Sequence, residues 1–149
     1  MFPLPLPMVA ALEAAQQAAL DGEVPVGAAI TLDGQIIATA ANAPRRLHDP
    51  TAHAEMRVIR AAASELARDR LEDCDLWVTL EPCAMCAGAI AHARVRRVYY
   101  GASDPKGGAV EHGPRFFSQP TCHHRPELYG GIGAGEAGAL LRSFFAARR

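Results

Sequence analysis

Between residues 8 and 20 apolar side chains recur at Met8, Leu12, Ala15 and Ala19, the spacing of one helix face. Asp21-Gly22 follows, and a glycine just past the last turn is a common helix stop. The period then changes. Val26-Gly27-Ala28-Ala29-Ile30-Thr31-Leu32 and Gln35-Ile36-Ile37-Ala38-Thr39-Ala40 are rich in strand formers and flank Asp33-Gly34, which predicts an antiparallel hairpin. A loop over 41–50 leads to a predicted helix over 51–68, whose buried stripe is Met56, Ile59, Ala63 and Leu66. The same reading predicts a strand over 75–80, a helix over 83–93 and a strand over 95–100. The stretch 101–126 is polar, rich in Gly and Pro, and longer than ordinary connections, which predicts a lid or binding loop. A short fifth strand over 127–132 and a last helix over 134–149 complete the pattern. There is no internal repeat and no linker. Strands alternating with helices after an opening hairpin predict a three-layer α/β/α domain with a mixed five-stranded sheet, residues 1–149 forming one unit.

Composition narrows the class. A chain of 149 residues, half of them hydrophobic, can bury an ordinary core. The net charge of −1 supplies no global basic field, so any contact with a polyanion must come from local patches. No apolar run approaches the roughly 20 residues that span a bilayer, and no membrane partner is expected. The opening Met1-Phe2-Pro3-Leu4-Pro5-Leu6-Pro7 has no basic start, and its prolines disfavour the helical core of a signal peptide. A cytoplasmic location is expected.

The chemistry is concentrated in two short segments, His53-Ala54-Glu55 and Pro82-Cys83-Ala84-Met85-Cys86. One imidazole and two thiolates suit zinc and leave a fourth position open, the layout of a catalytic site. Glu55, two residues from His53, can lie near the metal without binding it and move protons. Cys83 and Cys86 are three apart, so in the first turn of a helix they share a face. Pro82 suits a helix entrance, and the positive end of the helix dipole favours thiolates. The combination H-x-E with P-C-x-x-C is the signature of zinc nucleobase deaminases. A thioredoxin-like redox pair would leave His53 and Glu55 without a role.

These residues carry a resemblance to the cytidine deaminase superfamily, and within it to the bacterial tRNA-specific adenosine deaminases. Glu23-Val24-Pro25-Val26-Gly27-Ala28, His48-Asp49-Pro50-Thr51-Ala52-His53-Ala54-Glu55, and the run from Val78 through Leu80-Glu81-Pro82-Cys83 to Ile90 follow that pattern. So do Asp104-Pro105-Lys106-Gly107-Gly108-Ala109 and the tail Leu140-Leu141-Arg142-Ser143-Phe144-Phe145. The resemblance implies conversion of adenosine to inosine at the wobble position of a tRNA anticodon, by a homodimer with one zinc per subunit. It implies His53, Cys83 and Cys86 as metal ligands and Glu55 as proton shuttle. It also implies substrate contacts from Asn42, Ala54, Asp104, His124 and Phe145, with Asn42 bonding the flipped base and Phe145 walling the nucleotide pocket.

Two local clusters could meet an anticodon stem-loop: Arg94, Arg96, Arg97 and Lys106 against Asp104, and Arg142, Arg148 and Arg149 against Glu136. Cys122-His123-His124 reads as a loop ordering over substrate rather than a second metal site, and Cys74 as a small residue before a strand. Guanine, cytosine and cytidine deaminases share the zinc core, so a free-base deaminase is the alternative function. A zinc module that only binds a partner would have no use for Glu55.

Overall fold

Alternation along one central strand sets the layering of the molecule. In the computed structural model, which describes residues 3–148, β3 (Cys74–Leu80) turns Leu76 and Val78 to one face and Trp77 to the other. Met1 and Phe2 of the Pro-rich start, and Arg149 of the C-terminal basic cluster, lie outside the described residues. The five-stranded sheet runs β2-β1-β3-β4-β5, with β1 (Gly27–Leu32) antiparallel to both β2 (Gln35–Ala41) and β3. β4 (Arg97–Ala102) is parallel to β3, and β5 (Glu127–Tyr129) is parallel to β4. The mixed sheet matches the expectation. Asp33 and Gly34 both take positive φ, as the tight hairpin between β1 and β2 demands.

Helices cover both faces. On one, α1 (Leu6–Leu20) and α5 (Ala134–Ala146) bury Met8, Ala11, Leu12 and Ala137 against Trp77 and Ala102. On the other, α3 (Ala54–Leu66) and α4 (Ala84–Ala93) bury Ala54, Val58, Ala62, Ala87 and Ile90 against Ala28, Ile30, Leu76, Val78 and Val98. Gly27 makes the first layer possible. A Cβ there would sit 2.0 Å from the Ala11 carbonyl oxygen of α1, so helix and strand backbones touch directly.

The sequence reading erred chiefly at ends and loops. α1 starts at Leu6, because Pro7 fits a first helical turn whose N–H groups have no partner. The expected loop 41–50 contains a four-residue helix, α2 (Pro44–Leu47), and α3 is shorter than 51–68 because Ala67 adopts the left-handed conformation. β4 is displaced to 97–102: Arg94 caps α4 in the left-handed region and the Val95 N–H still bonds the Ile90 carbonyl. The long stretch before β5 carries a 3-10 turn, Phe116–Ser118, that buries Phe117. It is fastened to the body of the protein and is no free lid.

Candidate active site

Two helix starts meet on the α3/α4 face, and each contributes donors from its cap. His53 is the N-cap of α3 and Cys83 the N-cap of α4, both with extended backbone and neither capping its own helix with its side chain. The caps are free because both side chains turn toward one point. His53 Nδ1 lies 3.6 Å from Cys83 Sγ and 3.5 Å from Cys86 Sγ, and the three donor atoms fall within 4.8 Å of one another. Zinc–nitrogen and zinc–sulfur bonds at a tetrahedral angle separate N and S by about 3.5 Å. The donor set therefore fits zinc in both chemistry and spacing.

Proton binding in the trio points the same way. Hydrogen bonds from Cys86 and His53 hold the Cys83 thiol down at about 4. Cys86 is raised by its bond to Cys83 and by burial, and His53 is raised by its bond to Cys83. Three crowded electron-pair donors share protons where a cation would replace them.

Glu55 follows one residue into α3 and is 4% exposed. Burial pushes its carboxyl up to about 7, against the opposing pull of its backbone N–H, of His53 and of a hydrogen bond with Cys86. It lines a cavity of about 360 Å³ with His53, Cys83, Asn42, Val26 and Asp104. Asn42 follows β2, its N–H fixed to the Val26 carbonyl, and its Oδ1 accepts the Ala54 N–H at 2.9 Å. That bond supplies the helix cap that His53 forgoes. It occupies one lone pair of Oδ1 and leaves the two amide hydrogens for a ligand.

The other expected contacts divide. Asp104 lines the cavity, while its Oδ1 accepts the N–H groups of Lys106 and Gly107 and shapes the local turn. Phe145, 46% exposed, lines an adjoining groove with Lys106 and Arg148; groove and cavity share Val24, Leu80 and Asp104. Ala54 is fully buried outside the cavity lining, and its N–H belongs to Asn42. His124 is not brought to the cavity either; its Nε2 bonds the Val95 carbonyl at 2.7 Å, near the start of β4.

The basic cluster also comes apart. Arg96 holds Asp75 with two bonds of 2.9 Å, and Arg97 reaches Glu127 at 3.3 Å, at the beginning of β4. Lys106 lies past the other end of that strand, beside the groove. Two buried acids have tasks that the sequence does not assign: Glu23, which accepts the N–H groups of Arg45 and Arg46 and seats α2, and Glu81 in the cavity wall. An acidic residue just before a proline, Glu23-Val24-Pro25 and Glu81-Pro82, is the available signal.

A mixed sheet covered on both faces, with an imidazole, two thiols and a buried carboxyl at paired helix starts, defines a zinc-site hydrolytic deaminase. Residues 6–102 match the cytidine and deoxycytidylate deaminase zinc-binding region, and the chain belongs to that family. The tRNA-specific adenosine deaminase of Agrobacterium fabrum (strain C58) is 56% identical over 142 residues, 95% of this chain and 93% of that protein. A structure solved in studies of A-to-I editing by tRNA:A34 deaminases at the wobble position of transfer RNA superposes with a TM-score of 0.90. It is 56% identical and covers 91% of this chain and 99% of its own. A guanine deaminase from Bacillus subtilis, 40% identical with a TM-score of 0.65, covers 68% of this chain and 66% of its own.

Proposed function

We propose that this chain, folded as one domain, deaminates adenosine to inosine at the wobble position of a tRNA anticodon, as a cytoplasmic homodimer with one zinc per subunit. The observation that carries the reading is where the similarity extends. The family's zinc region ends at residue 102, whereas the 56% identity to a tRNA-specific adenosine deaminase spans 95% of the chain. The long loop and α5 are thus included, and these elements border the groove that opens from the cavity. No described helix is long and apolar enough to cross a membrane.

His53, Cys83 and Cys86 would hold the zinc. Zinc held there supplies the acidity that makes a water nucleophilic at neutral pH. Glu55 takes the proton from the attacking water and delivers it to the ring nitrogen beside the attacked carbon. It then carries the remaining proton of the added hydroxyl to the exocyclic amine, which leaves as ammonia while the water oxygen becomes the carbonyl of inosine. A carboxyl that holds its proton near neutrality is suited to both halves of that transfer. Asn42 donates its amide hydrogens to an acceptor on the base. Phe145 offers a half-exposed ring to a neighbouring base, and Lys106 and Arg148 offer charge to phosphates.

The test is a deamination assay of zinc-loaded protein on an adenosine-34 anticodon stem-loop, beside free adenosine, cytidine, cytosine and guanine. Inosine in the stem-loop alone is expected. Ammonia released only from a free base would sink the RNA reading in favour of nucleobase salvage.

A further inference from the structure

Glu81 stands two residues before Cys83 and lines the cavity with His53 and Glu55, yet the reaction gives it no task. Its side chain has no exposed surface, and five donors converge on its two oxygens. Oε1 accepts the Asp104 N–H at 2.9 Å and His112 Nδ1 at 2.8 Å. Oε2 accepts the N–H groups of Val110, Glu111 and His112 at 3.1, 2.9 and 3.2 Å. A carboxylate offers about four lone-pair sites, so this one is saturated. That removes Glu81 as a second proton shuttle or a further metal ligand.

All five donors belong to one segment, 104–112, whose first residues line the site. Asp104 and Gly107 line the cavity, and Asp104 and Lys106 line the groove shared with Phe145. The contact is close: a Cβ on Gly108 would lie 2.4 Å from Glu81 Cδ. The Ala109 N–H bonds the Pro82 carbonyl at 2.9 Å, so residues 81–83 grip the loop on one side and present a metal donor on the other.

We propose that Glu81 is the positioning residue that sets the 104–112 wall against the donor trio, and thereby the affinity for the nucleotides flanking the target base. The substrate named here rests on the RNA reading above. In Glu81→Gln the carboxamide oxygen keeps the three-donor side, and its NH2 is left facing the Asp104 N–H.

The experiment compares zinc-loaded wild type and Glu81→Gln by amide hydrogen exchange and by steady-state kinetics on the stem-loop. Exchange of the Asp104 N–H should speed at least about tenfold, the scale of one lost hydrogen bond to a charged group. KM should rise by a similar factor, with kcat changed less than KM and zinc content equal. If the variant does not fold, His112→Ala, which removes one donor from the loop side, should shift exchange and KM the same way by less. Unchanged exchange with unchanged KM overturns the proposal, as does a fall in kcat at constant KM, which would place Glu81 at the reacting atoms. A lowered melting temperature with unchanged KM also overturns it. If wild type turns over a free base instead, the RNA reading fails separately, and Glu81 is judged by exchange and by KM for that base.

Discussion

Removing the Glu55 carboxyl should separate metal binding from proton transfer. Glu55→Ala is expected to keep its fold and its zinc, measured by metal analysis and circular dichroism, while deamination falls by about 10²–10⁴-fold. Loss of zinc instead would mean that the carboxyl belongs among the ligands. Asn42→Ala acts on two levels, because Asn42 Oδ1 holds the Ala54 N–H. A drop of about 1 kcal/mol in unfolding free energy is expected from the lost cap, together with a raised KM. The donor trio and Glu55 were readable as a sequence pattern because their residue types are rare and their spacing follows from helix geometry. The surroundings of Ala54 and His124 were not. The Ala54 N–H bonds Asn42 and His124 Nε2 bonds the Val95 carbonyl, and such pairings leave no trace in local order.

At the scale of elements, α1 lies on β1 without a side chain between them. Gly27→Ala should therefore lower stability by about 1–3 kcal/mol, seen as a reduced denaturant midpoint, with zinc affinity retained. A midpoint equal to wild type would show that α1 can lift at no cost. The strands were legible because they are short runs of strand formers, as in Leu76-Trp77-Val78, whose residues pack on opposite faces. Element ends were less so. Pro7 inside the first turn and Ala67 in the left-handed region are conformations that these residue types do not announce, and the helix over 44–47 depends on Glu23, distant in sequence. The long loop read as a lid for the same reason: its fastening point, Glu81, belongs to another segment.

Across the whole molecule, positive charge is arranged differently from its order in the chain. Arg96 and Arg97 are neutralised by Asp75 and Glu127 at the start of β4, whereas Lys106 flanks the groove beyond its end. Lys106→Ala should weaken stem-loop binding and reduce the slope of log affinity against log salt by roughly one, whereas Arg96→Ala should leave that slope unchanged. Fluorescence anisotropy over a salt series distinguishes them, and equal slopes for both variants would return Arg96 to the interface. The two ends of the metal centre also have a mechanical meaning. His53 and Cys83 are 30 positions apart, with all of α3 and all of β3 between them. An ion gripping both is a removable staple across that segment. On loop-closure entropy alone such a staple restricts the unfolded chain by about 3–4 kcal/mol, as a disulfide of the same span would. Chelation thus does more than silence the chemistry: it cuts a tie that forms without oxidising a thiol.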